Sequence, residues 1–287
     1  MYKNRSAVVL LAAVLAIPST SAAAVQLPQA SPAASVTQKV GTTDLTLAYH
    51  RPAVKGRAIW GALVPWGEVW RLGANEATTL TVSDPVKIAG QDVAAGTYAL
   101  FAIPGAERWT FILSRKAKQW GAFSYDAKDD LARFEAKVGP APHTEWMTFS
   151  IDPAGDGAAE VALAWEKVRL SFPVTVDVPA IVWRDLDAAL AAAKPEDGDL
   201  FLQAARYARE RGQRLAEAMT WIDRSIAARE TWWNLETKAD LLQDAGRTAE
   251  ALPLLERALA LSREKTPAGY QQGLEKKLAD YRKSSAG

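Results

Sequence analysis

Apolar and polar positions alternate along many short stretches between residues 35 and 178. Alternation with a period of two is typical of β-strands, because successive side chains point to opposite faces of a sheet. Leu45, Leu47 and Tyr49 form one such set. The other sets are Trp109, Phe111 and Leu113; Val161, Leu163 and Trp165; and Val168, Leu170, Phe172, Val174 and Val176. The pattern therefore predicts strands that each bury one face.

Turn-forming residues separate these strands at the spacing of hairpins. Glycine and aspartate occur together at 41–44, 89–92 and 153–157, and both residue types favour the tight turns that join antiparallel strands. The apolar run 96–104 reads as one more buried strand. Many short strands with regular turns are typical of an all-β antiparallel sandwich or a partly closed barrel. We expect that fold over residues 35–178.

The pattern changes at Pro179, where apolar residues begin to recur at helical spacing. Residues 179–197 are predicted to form a connecting helix. Helix-forming residues dominate from there to the end of the chain. The sequence therefore predicts a second, small all-α domain over residues 198–287.

An internal repeat lies in this second domain. The segment 216–227, AEAMTWIDRSIA, aligns with 249–260, AEALPLLERALA. A helix, turn and helix that recur after about 34 residues resemble the tetratricopeptide family. The second unit carries small and large residues where the two helices of that family meet, namely Ala239, Gly246, Ala251, Leu255 and Ala258. The resemblance covers residues 198–263, with 270–282 as a closing helix, and it implies a surface for protein contact.

Two units are fewer than the three that a free-standing stack usually needs. We therefore expect the helices to pack against the β-domain or against a partner. Trp221, Trp232 and Trp233 are candidates for that contact. The alternative, which we favour, is that they fill the core of the repeat itself.

The first 24 residues read as a secretory signal peptide. Lys3 and Arg5 supply a positive start, and residues 18–24 a tail of small residues. The apolar run between them has 11 residues, fewer than the roughly 20 that cross a membrane as a helix. We expect cleavage near Ala24, an exported periplasmic or secreted protein without a membrane span, and a flexible lead-in over residues 25–34.

Composition excludes several classes of function. The chain has no cysteine, so it can form neither a disulfide framework nor an N-terminal lipid anchor on cysteine. Loss of Lys3 and Arg5 with the signal changes the formal charge from +1 to −1, and this balance argues against nucleic acid as a partner. The two histidines, His50 and His143, do not stand at ligand spacing. We expect no metal site and no cofactor.

Residues 51–79 have neither helical nor strand periodicity, yet they contain three tryptophans and four glycines. Such a segment is expected to be an ordered loop, since burial of large rings offsets the entropy of fixing it. Its motifs, and others that follow in order, resemble an exported bacterial family, domain of unknown function 2911, over residues 35–176. The motifs are Lys55-Gly56-Arg57, Trp60-Gly61, Leu63–Gly67, Val69-Trp70-Arg71, Gly73–Thr78, Ala95–Gly105, Trp109-Thr110, Trp120–Ala122 and Trp165-Glu166. The resemblance implies an all-β exported domain and carries no catalytic residues.

The loop contains the charged and polar residues that are candidates for catalysis or ligand binding. Glu68, Arg71, Asn75 and Glu76 fall close together in sequence. Two carboxylates beside an arginine can form an acid–base pair or anchor a sugar or peptide. They can also form a structural ion pair between Arg71 and Glu76 or Glu68, and we favour that interpretation.

The remaining candidate ligand-binding residues have similar alternatives. Trp60, Trp66 and Trp70 can form a stacking platform or anchor the loop in the core, which we favour. Lys55 and Arg57 can bind an anion or lie in a solvated turn. These residues, with Arg71, Asn75 and Glu76, make up the predicted loop site.

Three functions remain open at this point. The first is a non-enzymatic binding module, with a glycan or small ligand at the loop and a peptide or protein at the repeats. The second is a hydrolase of envelope or extracellular polymer, in which Glu68 and Glu76 face one cleft. The third is a structural assembly module.

Overall fold

The computed structural model describes residues 27–263 and 268–285, and the predicted signal peptide lies outside them. Ten strands precede six helices, as the two periodicities predict. The strands are β1 (Ala33–Val40), β2 (Thr43–His50), β3 (Thr78–Val82), β4 (Val86–Ile88), β5 (Gln91–Val93), β6 (Gly96–Ile103), β7 (Arg108–Ser114), β8 (Asp130–Lys137), β9 (Gly139–Gly155) and β10 (Ala158–Thr175). The helices are α1 (Val178–Ala192), α2 (Gly198–Arg211), α3 (Leu215–Ala228), α4 (Trp232–Asp244), α5 (Thr248–Ser262) and α6 (Ala268–Ser285).

The strands form two antiparallel sheets that share one core. Six strands follow the order β1-β2-β3-β6-β7-β8, and four follow the order β5-β4-β10-β9. Among the described residues no hydrogen-bonded strand pair joins the two sheets. The predicted sandwich is therefore confirmed, and the alternative of a partly closed barrel is not formed.

The residues that are buried confirm the predicted alternation of apolar and polar positions along the strands. Leu45, Leu47 and Tyr49 all point into the core between the sheets. The sets on β7 and β10 enter the same core, where the rings of Phe111 and Phe172 lie 5.1 Å apart. Burial of apolar area at about 25 cal/mol per Å² supplies the main stabilisation of such a core.

A cluster of four tryptophans occupies one part of this core. Trp109 and Trp165 are each 1% exposed. The ring of Trp60 meets them edge-on at 4.8 and 5.5 Å, and Trp70 stacks on Trp165 at 5.8 Å. Two of the four rings come from the irregular loop, so the loop is part of the core that holds the sheets together.

Helix α1 contacts both parts of the molecule. It begins at Val178 because the Asp177 side chain accepts a hydrogen bond from the backbone of Ala180 at 3.1 Å, which caps the first turn. Ile181 is buried in the core of the sandwich, and Arg184 Nη2 lies 2.8 Å from Asp84 Oδ1. Trp183, Leu186 and Leu190 pack against the core of α2 and α3 on the other side. The connecting helix is thus joined to both domains.

Helices α2 to α6 fit an array of helical repeats. Trp221 lies in the buried cluster of α2 and α3, whereas Trp232 packs against the cluster of α4, α5 and α6. Trp233 is 45% exposed. None of the described helices is long and apolar enough to cross a membrane.

A partly buried charge network joins α2, α4 and α6. Asp240 is 6% exposed and accepts hydrogen bonds from Arg209 at 3.0 Å, Lys277 at 2.9 Å and the Tyr281 hydroxyl at 2.7 Å. Burial, together with the hydrogen bond to Asp240, raises the pKa of Tyr281. The network fixes the last helix against the repeat by directed contacts as well as by apolar packing.

Candidate functional site

The loop between β2 and β3 is ordered by hydrogen bonds to the sheet. Trp70 and Ala102 exchange two backbone hydrogen bonds of 2.8 and 2.9 Å. The backbone N–H of Thr78 donates to the carbonyl of Arg71 at 3.1 Å. The middle of the loop therefore runs beside β6 as a short strand-like segment. The density of large rings predicts an ordered loop but does not predict this pairing.

The three loop tryptophans have different environments. Trp70 belongs to the core cluster and Trp60, which is partly buried, packs against it. The Trp70 indole donates to the Gly73 carbonyl at 3.2 Å. Trp66 is 46% exposed and lies against Gly61, where a Cβ atom would overlap its ring. The structure therefore places two of the three as core anchors and leaves one at the surface.

Lys55 and Arg57 lie in an exposed turn. The Arg57 guanidinium donates to the backbone carbonyls of Ala53 and Val54. The backbone N–H of Lys55 donates to Glu145 Oε1 at 2.8 Å and lowers the pKa of that carboxyl. Arg57 thus uses its donors within the turn, while the Lys55 ammonium has no carboxylate within 4 Å among the described residues.

The structure does not form the predicted ion pair between Arg71 and a glutamate. Glu68 is exposed and Glu76 lies 3.3 Å from His50 Nδ1, measured from Oε2. Within residues 27–263 and 268–285, no hydrogen bond or ion pair joins the Arg71 side chain to either carboxylate. The loop folds back between Arg71 and Thr78, so closeness in sequence does not bring the three charges together.

Arg71 is half-buried without a compensating charge. Its Nε atom is buried and has no hydrogen-bond acceptor among the described residues. Burial lowers the pKa of the guanidinium. An arginine in this state is unusual, because buried charges in proteins are normally paired.

Asn75 contacts the segment that precedes β1. Its Nδ2 atom donates to Gln29 Oε1 at 2.9 Å and to the Ser31 carbonyl at 3.4 Å. The backbone of Arg51 donates to the Pro32 carbonyl at 2.9 Å, and β1 begins at Ala33. The described part of the predicted lead-in is therefore held against the loop.

A shallow cavity of about 390 Å³ opens beside Glu76 on the outer face of the six-stranded sheet. Glu68 does not line this cavity, and its neighbour Gly67 donates instead to the carbonyl of Pro104. The two carboxylates of the hydrolase hypothesis therefore do not share it. Its walls are formed by Glu76, Ala77, Thr79, Ala117, Lys118, Gln119 and Trp120.

A larger cavity, of about 660 Å³, lies between α2 and the start of α4, and we call it the helical groove. Arg206 stacks on Trp233 there, with its Cζ 4.9 Å from the ring centre. Among the described residues no carboxylate lies within 4 Å of Arg206. The lining residues are Asp199, Leu202, Gln203, Arg206, Arg229, Glu230, Thr231, Trp232, Trp233 and Leu261.

A capping box fixes the tryptophans of the helical groove. Thr231 Oγ1 accepts from the Asn234 backbone at 3.2 Å, and Asn234 Oδ1 accepts from the Thr231 backbone at 2.9 Å. Asn234 also donates to the Arg229 carbonyl at 2.8 Å. Since both ends of this first turn are bonded, Trp232 and Trp233 project from a rigid backbone.

Sequence reasoning missed most of the helical groove. Asp199, Leu202, Gln203 and Arg206 recur at spacings of three and four along α2, so they share one face of the helix. That spacing on α2, together with two adjacent tryptophans at the start of α4, is a signal that the sequence does contain. Within the described residues no group of three His, Asp or Glu side chains is placed to hold a metal ion.

Comparison with models of protein families gives a match over the sandwich. The model of the family described as "Protein of unknown function (DUF2911)" matches residues 31–174. That range spans the sandwich from the segment before β1 to Val174, the last residue but one of β10. Neither the curated proteins nor the solved structures contain a match to the chain.

Proposed function

We propose that this chain, which belongs to the DUF2911 family of proteins of unknown function, is a non-enzymatic binding protein. In this proposal the helical groove holds an extended peptide segment of a partner protein. The observation that carries the proposal is the pairing of Arg206 with the exposed Trp233 in the wall of the groove. Arginine and tryptophan are the residues that most often dominate binding energy at protein interfaces.

We further propose that α2–α3 and α4–α5 are two tetratricopeptide-like units. Each pair is joined by a turn whose glycine has a positive φ, +62° at Gly212 and +74° at Gly246, a conformation that favours glycine. Ala251, Leu255 and Ala258 are fully buried, which supports the close helix approach that the sequence repeat implies. Stacked units of this kind create extended concave surfaces that bind partners, and the helical groove lies between α2 and the start of α4.

The chemistry of the helical groove defines the segment that it would accept. Leu202, Leu261 and the two indoles offer an apolar surface for an aromatic or aliphatic side chain. Arg206 keeps its guanidinium free of carboxylates, and Arg229 makes only a 3.5 Å contact with Asp199 across exposed side chains. We therefore propose a segment in which an apolar side chain stands next to an acidic group.

A peptide selection tests this proposal. The chain from residue 25 onward would be used to select binders from a random peptide library, and their affinities would be measured by tryptophan fluorescence. We expect selected peptides to combine an acidic residue with an apolar neighbour. We expect Trp233→Ala and Arg206→Ala each to weaken their binding about tenfold or more, as for residues that dominate an interface.

Trp146→Ala is the matched control, because Trp146 is 39% exposed and lies on β9 of the sandwich. Peptides that use the helical groove should bind this variant as they bind the unchanged protein. Selected peptides that bind all three variants equally would contradict the proposed function.

We also propose export of the protein through the signal peptide of residues 1–24. The positive start, the apolar run of 11 residues and the small-residue tail support this. We expect the chain expressed from residue 1 in a Gram-negative bacterium to be recovered from the periplasm with a new N-terminus near Val25. N-terminal sequencing measures this, and a full-length cytoplasmic product would contradict it.

A further inference from the structure

A second, smaller cavity continues the helical groove along α2. It has a volume of about 290 Å³ and lies between α1 and α2, and we call it the α1–α2 cleft. Gln203 and Arg206 line both the helical groove and the α1–α2 cleft. A chain that leaves the helical groove past these two side chains therefore enters the α1–α2 cleft directly. The residues that line the cleft are Val182, Leu186, Gln203, Arg206, Tyr207 and Glu210.

The wall that α1 contributes to the cleft is apolar and fixed in position. Val182 and Leu186 are partly exposed and stand four residues apart, so they share one face of the helix. Leu186 also packs against the buried cluster of α2 and α3. Ile181, next to Val182, is buried in the core of the sandwich. Because the helix is attached on both sides, this wall needs little ordering when a ligand binds.

Two charges of opposite sign lie along this surface without an ion-pair partner. Arg206 and Glu210 are four residues apart on α2, a spacing at which opposite charges often pair. The Arg206 guanidinium instead stacks on Trp233 of α4. Among the described residues no carboxylate lies within 4 Å of Arg206, and no cation lies within 4 Å of Glu210. Each charge is therefore available to a ligand group of opposite sign.

The two cavities together extend along most of α2. Asp199 is the first residue of this helix to line the helical groove, and Glu210 is the last to line the α1–α2 cleft. The distance between these positions along the helix is roughly 16 Å. An extended chain covers that distance with about five residues. A segment longer than a dipeptide is therefore needed to contact both cavities.

We propose that the partner segment carries two anchors with charges of opposite sign, one anchor for each cavity. An apolar residue beside an acidic residue occupies the helical groove and faces Arg206, as in the proposed function on which this inference rests. About two to four positions further along, a basic residue faces Glu210. An apolar neighbour of that basic residue lies against Val182 and Leu186. Reversing the two charges would bring like charges together, so the surface also selects their order along the segment.

A charge exchange tests the second anchor. Peptides would be selected on the chain from residue 25 onward from a random library of about twelve residues, which exceeds the length of both cavities. We expect selected peptides to share an acidic and a basic residue at the proposed separation, each beside an apolar residue. We expect Glu210→Lys to weaken their binding about tenfold. A peptide whose basic residue is replaced by glutamate should recover that loss on Glu210→Lys.

Glu275→Lys is the matched control for the charge exchange. Glu275 is also exposed, forms no ion pair among the described residues and lines neither cavity. This variant should bind the selected peptides as the unchanged protein does. Val182→Ser tests the apolar wall without adding a charge, and we expect it to weaken binding severalfold.

The outcomes separate this inference from the function on which it rests. If Trp233→Ala weakens binding while Glu210→Lys and Val182→Ser do not, the segment uses the helical groove alone. The two-anchor inference is then overturned and the proposed function stands. If Trp233→Ala has no effect, both fail. Sedimentation of the protein without peptide tests another occupant, since a dimer that Glu210→Lys dissociates would place a second copy of the chain in the cleft and overturn the inference.

Discussion

Replacing Trp109 with alanine is expected to lower the free energy of unfolding of the sandwich by about 3–5 kcal/mol. The side chain is 1% exposed and meets the rings of Trp60 and Trp70 at 4.8 and 5.9 Å. Alanine would leave a cavity between the sheet and the loop, and the aromatic contacts of both loop rings would be lost. We therefore expect the loop to loosen together with the core.

Thermal unfolding followed by near-ultraviolet circular dichroism measures this effect. A loss of this size corresponds to a fall in melting temperature of roughly 10 °C. Trp109→Phe is the matched control, because it keeps an aromatic ring and removes an indole N–H that has no acceptor among the described residues. Equal melting temperatures for Trp109→Ala and the unchanged protein would show that the tryptophan cluster does not hold the loop to the sheet.

Replacing Asp240 with alanine is expected to destabilise the helical domain by about 3–5 kcal/mol, as for removal of one member of a buried ion pair. The carboxylate is the shared acceptor for Arg209, Lys277 and Tyr281. Its loss leaves two partly buried cations with fewer acceptors and a hydroxyl with none. The contacts of α6 with α4 should weaken most.

Hydrogen exchange of the α6 amides reports this directly, and we expect faster exchange in Asp240→Ala than in the unchanged protein. Asp244→Ala is the control, because Asp244 is 43% exposed and, among the described residues, it forms an ion pair with Arg209 alone. Its effect should stay below about 1 kcal/mol. If the two variants behave alike, the network contributes no more than a surface ion pair.

The class of fold could be predicted from the sequence because it follows from local patterns. Leu45, Leu47 and Tyr49 are buried together as their spacing requires. The turn predicted at 89–92 lies at Ala89 and Gly90, between β4 and β5. Period and turn chemistry act over a few residues, so one chain segment carries enough information. The start of α1 followed in the same way from its periodicity, whereas the helix ends at Ala192, five residues before the predicted end.

Pairings within the loop could not be predicted, because they depend on contacts between distant segments. His50 reaches Glu76 only after β2 and β3 have paired in the sheet. Arg71 lies next to β6 because Trp70 pairs with Ala102. Nothing in the order of charges along residues 68–76 distinguishes this arrangement from an ion pair between neighbours.

The double attachment of α1 determines where the molecule can be divided for separate expression. Ile181 fills the core of the sandwich, and Arg184 is bonded to Asp84. A truncation at Pro179 would therefore leave an apolar hole in the first half and an exposed apolar stripe on the second. A fragment that ends after Ala193 keeps α1, and with it Ile181, which completes the core of the sandwich. For the helical half, the same helix contributes Trp183, Leu186 and Leu190 to its core, so a soluble fragment of either half has to carry its own copy of α1.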